Sequence, residues 1–252
     1  MSCCKCNPSV AHPYQPFPDS GSLKKNSNLN LNRLKRLVKQ EDAIVYCYII
    51  KSVKKDKKNN DIFRQEGCGP NWQGGLITLC TCKHRMRTLF SSKDWKEKWI
   101  AGFTSINDGS GGKDASNRKN ALVYLMKVKD AFGSHHDLWY ALPPETRTAK
   151  AAHNESNIHG DVFCPKGKLE NRAKKYAPSA YYRPSKFHDH SKCWHKDVNY
   201  SKTKKHHPSL LVGDKNNSFL WNRPLIAATF KLNRGHKKPM PLREFYGLLC
   251  EV

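Results

Sequence analysis

One stretch constrains this chain more than any other. Gly69-Pro70-Asn71-Trp72-Gln73-Gly74-Gly75 runs into Leu76-Ile77-Thr78-Leu79-Cys80-Thr81-Cys82, which breaks abruptly into Lys83-His84-Arg85-Met86-Arg87. A Pro-Asn turn signal and paired glycines ahead of an apolar, partly β-branched run describe a loop that feeds a buried strand over residues 75–82. The strand then delivers a cationic cluster at its end. Glycine lets a backbone approach a ligand closely, so Gly74 and Gly75 read as a cradle. Ammonium and guanidinium groups hold phosphates, so Lys83, Arg85 and Arg87 read as backbone contacts. The same residues also describe a plain hairpin turn with a solvated strand end, because charge runs usually face water.

The rest of the chain fixes a class of fold. Residues 43–50 are rich in β-branched and aromatic side chains and predict a strand, as do 98–105 and 121–128. Further strands are expected at 209–212, 219–221 and 225–230, and short helices at 134–142 and 146–153. Strands outnumber helices and do not alternate with them, which argues against a doubly wound parallel sheet. The expectation is an α+β fold: a curved, mainly antiparallel sheet or partly open small barrel with a few helices. By analogy of fold it is PUA-like. Residues 1–40 are set apart as a basic, loosely ordered segment. Within it Leu31, Leu34 and Val38 fall at helical spacing, either packing on the domain or turning a basic face to nucleic acid.

Taken in order, three blocks resemble the second type of nucleotide-modification-associated domain, a bacterial and phage family. They are Pro70 to Arg87, Trp99-Ile100-Ala101-Gly102-Phe103-Thr104-Ser105, and Leu122-Val123-Tyr124-Leu125-Met126-Lys127-Val128. The family's later blocks are matched by His159-Gly160-Asp161-Val162-Phe163 and by 207–214. The resemblance covers residues 41–252, interrupted by a basic insertion over 166–205. It implies a role in nucleotide modification or phage and bacterial defence, with other proteins of such systems as partners, and leaves the reaction open.

Charge points to the same class of partner. Forty-five Lys and Arg stand against twenty-one Asp and Glu, a formal charge of +24. Such a field attracts polyanions, and nucleic acid is the commonest; DNA is preferred here to RNA. No apolar run reaches the length of a membrane span, so no membrane partner is expected. Cysteines set inside apolar strand patterns (Cys47, Cys80, Cys82, Cys250) suit a reducing, cytoplasmic location.

Residues 166–205 hold twelve Lys or Arg against three acids, with tyrosines and other rings interleaved. Cations for phosphates and flat rings for unstacked bases compose a single-strand or flipped-base surface; a solvated insertion anchored by its aromatics has the same composition. Three imidazoles and a thiol fall within His188 to His195, but no second, well-spaced ligand couple follows, so no metal and no cofactor is expected.

The leading expectation is a binding module that reads a modified or unstacked base. Asn71 and Ser105 would meet the base edge, Trp72 and Tyr124 would stack, and Gly74, Gly75, Lys83, Arg85 and Arg87 would complete the site. The alternative is an enzyme acting on a base or nucleotide, with Asp161 and His207 as its acid–base groups.

Overall fold

The computed structural model describes residues 23–56, 62–65, 69, 71–109, 118–151, 161–184, 193–200, 207–232 and 239–252. In chain order the described elements begin with α1 (Leu31–Leu37), β1 (Ile44–Ile49), β2 (Val53–Lys55), β3 (Phe63–Gln65), β4 (Thr78–Leu79) and α2 (His84–Arg87). Then come β5 (Trp99–Phe103), β6 (Leu122–Phe132), α3 (His135–Ala141), α4 (Pro144–Lys150) and α5 (Cys193–Asn199). The last are β7 (Leu210–Leu220), β8 (Ile226–Ala228), β9 (Met240–Pro241), α6 (Leu242–Gly247) and β10 (Leu249–Glu251).

This is an α+β fold whose main sheet is mixed, with six strands in the order β4-β7-β6-β5-β1-β9. β1 lies parallel to β5 and antiparallel to β9, and β5 is antiparallel to β6. Strands β4 and β9 are the two ends of that order, so the sheet is open rather than a barrel. Two small sheets pair β8 with β10 and β2 with β3.

The chain forms two compact units, the first within residues 67–96 and 129–212, the second within 14–66, 97–128 and 213–252. The second unit owes its core to β1, β5 and β6. From Val45 to Ile49 every residue of β1 is buried, which is why it reads as a continuous apolar run without alternation. Leu31 and Leu34 of α1 and the following Val38 join this core, so the helical spacing in the N-terminal segment is a packing pattern. Asn30 caps α1, its side chain accepting a hydrogen bond from Arg33 N at 2.8 Å.

In the first unit, Leu76, Cys80, Leu138, Leu142, Val162, Leu210 and Val212 form one apolar cluster. Phe163, Tyr181, Trp194 and Val198 form another. Several sequence expectations change here. The strand expected over 75–82 shrinks to Thr78–Leu79, because the apolar run before it belongs to the loop and its cluster. Residues 84–87, expected as a strand end, form the single helical turn α2. The strands expected at 209–212 and 219–221 are one strand of eleven residues, β7.

Candidate functional site

The glycine loop and helix α4 build a buried polar network in the first unit. Gly74 and Gly75 both take φ of +70°, which lets the chain turn tightly between Asn71 and Thr78. A β-carbon added at Gly74 would lie 2.9 Å from the α-carbon of Thr146 in α4. The glycines therefore permit close approach, but the backbone they admit is that of α4. The loop closes through a bridge in which Thr78 N donates to Asn71 O at 2.8 Å.

Helix α4 ends on Lys150, which is fully buried. Its ammonium donates to Asn71 Oδ1 at 2.9 Å, to Asn71 O at 3.2 Å and to Thr78 Oγ1 at 3.0 Å. The Thr78 hydroxyl in turn donates to the carboxylate of Asp161, 2.9 Å from either oxygen. Cys80 N completes the carboxylate's shell at 3.2 Å. Burial pushes the Lys150 amine down to about 8, with Asp161 and Cys80 opposing the shift. Burial also raises the Asp161 carboxyl, against the attraction of Lys150 and the bonds from Thr78 and Cys80. The Cys80 thiol rises well above its ordinary value for the same first reason, reinforced by Asp161. The ammonium of Lys150 and the carboxyl group of Asp161 are thus linked through one hydroxyl inside the fold.

The expected site residues fall into three groups. Asn71 is buried in this network, while Trp72, half-buried, starts the turn by accepting from Gly75 N at 3.1 Å. Of the three cations, Lys83 takes a left-handed conformation before α2, and Arg85 is exposed. Arg87 is not available as a phosphate contact in this fold, since it is fully buried. Its guanidinium donates to the carbonyls of Cys82 at 2.7 Å and Ser209 at 2.8 Å, tying α2 to the start of β7. Ser105 and Tyr124 belong to the second unit. Ser105 Oγ donates to Asp108, and Tyr124 is core, its hydroxyl 2.7 Å from that of Tyr48. A β-carbon at Gly102 would come within 2.3 Å of the Tyr124 ring, so strand β5 needs glycine there to seat the tyrosine.

The proposed acid–base couple has separate partners. Asp161 is held by Thr78 and Cys80, whereas His207 stacks on Tyr176 with centroids 3.6 Å apart and meets Tyr200 O through Nδ1 at 3.1 Å. Of the His188 to His195 motif, only 193–195 lie among the described residues. No group of three or more His, Cys, Asp or Glu among those described could hold a metal ion.

A second site lies along residues 165–183. Its ends pair, with Lys166 N donating to Ala180 O and Tyr182 N to Cys164 O, both at 2.9 Å. Helix α3 fastens the middle. His136 Nε2 accepts from Leu169 N at 2.9 Å, and Lys175 reaches Asp137 Oδ1 at 2.6 Å. His136 N also donates to the Tyr181 hydroxyl oxygen at 3.1 Å. Burial alone would raise the Asp137 carboxyl, but hydrogen bonds from Lys175, Ser134 and His136 outweigh it and leave the group lowered. On this fastened strip Lys166, Lys168, Arg172, Lys174 and Arg183 are exposed, with Glu170 the one acid between them. Tyr182 stands beside Arg183 with about half its surface exposed, at 51%.

Lys150, Gln73, His136 and Asp137 were not singled out by the sequence. Lys150 sits between alanines at the end of a helix, a weak sign that a lysine is enclosed. The pairing of α3 with the basic strip leaves no local pattern at all. Comparisons with protein families, curated proteins and solved structures find no match to this chain.

Proposed function

We propose that this protein binds nucleic acid through the fastened basic strip of its first unit. The observation that carries the reading is the set of five exposed cations against one acid along Lys166 to Arg183. They are displayed on backbone that α3 holds in place. Pre-ordered cations contact phosphates without the entropy cost of ordering a loose tail. The overall charge of +24 adds a long-range field that steers a polyanion toward them. Tyr182 gives an unstacked base a ring to lie on, which favours single-stranded or opened substrate. The motif resemblance to nucleotide-modification-associated domains is consistent with a protein that reads or accompanies modified bases.

The test is a fluorescence-anisotropy titration with a short single-stranded oligonucleotide across a salt series. If about five phosphates are neutralised, log affinity falls with log salt at a slope of about −3 to −4. Binding that is absent at low salt, or unmoved by salt, contradicts the proposal.

The enzyme reading is favoured by one specific observation, the Lys150–Thr78–Asp161 chain. There an amine lowered to about 8 and a carboxyl raised from its ordinary value share a hydroxyl. Groups shifted toward neutrality serve proton transfer as well as structure. Nucleoside mass spectrometry of nucleic acid incubated with the protein separates the two, because a binding protein returns its ligand unchanged.

A further inference from the structure

The glycine loop carries polar atoms that the fold leaves unmatched. Asn71 Nδ2 is enclosed with no hydrogen-bond partner, and so are both Gln73 Nε2 and Gln73 Oε1. Leaving such a group unmatched is costly, and native folds rarely place three on one short turn. The direction of the Asn71 amide is not free. Lys150 donates to its oxygen at 2.9 Å, so Oδ1 must accept and the NH2 group must point away from the ammonium. The lysine is itself held by Thr78 and the Asn71 carbonyl, so the donor is aimed by the core.

Two residues on, Gln73 supplies one further donor and one acceptor. Gln73 is half-buried and Gly74 beside it is exposed, so the turn reaches the surface, with the Asn71 amide enclosed beneath it. Two planar amides offering donor, donor and acceptor complement a planar edge that offers acceptor, acceptor and donor. Among ligands of a nucleic-acid-binding protein, the hydrogen-bonding edge of a nucleobase has that chemistry.

We infer that the Asn71–Gln73 turn is a base-recognition site, in which Gln73 and the Lys150-oriented amide of Asn71 read the edge of one unstacked nucleobase. This inference rests on the nucleic-acid reading above, and adds to it a site separate from the basic strip. Lys150 acts there as a positioning residue for Asn71. Trapped water is the competing occupant of the same atoms.

The experiment uses the full chain and two short single-stranded DNA oligonucleotides of one length, one with bases and one abasic. Their phosphate charge is equal, so the ratio of their affinities reports base contacts alone. The parent protein should prefer the base-bearing strand on the order of tenfold, as expected of a hydrogen-bonded edge. Gln73→Met keeps the side chain's length and removes its polar atoms. It should bring the ratio close to one, leave affinity for the abasic strand unchanged, and raise the melting temperature by removing two unmatched atoms.

A ratio that Gln73→Met leaves unchanged, or a parent that does not distinguish the two strands, overturns the site while the strip's salt-dependent binding stands. Failure of the parent to bind either strand overturns both readings. If Gln73→Met does not fold, Gln73→Asn draws the amide back by one methylene and must lower the ratio for the inference to hold.

Discussion

A lysine and an aspartate enclosed together must satisfy one another, and the first unit shows how. Lys150 spends its three protons on three acceptors, and Asp161 receives bonds from Thr78 and Cys80. Removing one partner strands the other. Lys150→Met should therefore cost about 3–5 kcal/mol in urea unfolding, and adding Asp161→Asn should return most of that loss. The pH dependence follows from the direction of the lysine shift. Its folded value of about 8 lies below the ordinary 10.5, so between those values the unfolded chain binds the extra proton. Lys150's contribution to stability accordingly rises from pH 8 toward 10.5. Melting the parent beside Lys150→Met across that range should show the difference growing in the parent's favour. In the second unit, Gly102→Ala drives a methyl into the Tyr124 ring and Ile50. It should destabilise by about 1–3 kcal/mol, measured the same way.

Elements were legible where a local pattern decided them. Residues 43–50, 98–105 and 134–142 each carry a pattern that tertiary packing merely trimmed, to β1, β5 and α3. The run at 75–87 misled because its apolar residues serve a loop packed on α4, and because Arg87 spends its charge on carbonyls inside the fold. The glycines read as a cradle for a ligand, whereas at Gly74 the close approach is that of Thr146 in α4, which no local pattern signals. The basic composition of the strip was equally plain, whereas its fastening to α3 depends on residues about forty positions apart. That fastening can be tested by acid. The Asp137 carboxyl lies below its ordinary 3.8, so it stabilises the attachment above pH 3.8 and that contribution is lost as pH falls through the lowered value. Asp137→Asn should make cleavage by trypsin within residues 166–175 faster at neutral pH, while cleavage elsewhere in the chain keeps its rate.

On the scale of the whole molecule, charge and fold carry different information. The +24 charge sets attraction to polyanions and says nothing about where they bind. The fold sorts the cations, burying Arg87 and Lys150 as structural cations and leaving the strip's five exposed. Helix α1 offers a comparison set, because Arg33, Lys35 and Arg36 with Lys39 are also exposed while Leu31 and Leu34 face the core. The most direct measurement sets one cationic set against the other. Affinity for a short single-stranded oligonucleotide is compared between Lys166, Lys168, Arg172 and Lys174 replaced by glutamine and Arg33, Lys35, Arg36 and Lys39 replaced likewise. Both variants lose the same charge, so the long-range field falls equally in each. If the strip is the interface, the first variant loses on the order of a hundredfold at moderate salt and flattens the salt slope by about 3, while the second changes little. Equal losses in the two variants, or a larger loss from α1, would contradict the strip as the binding surface.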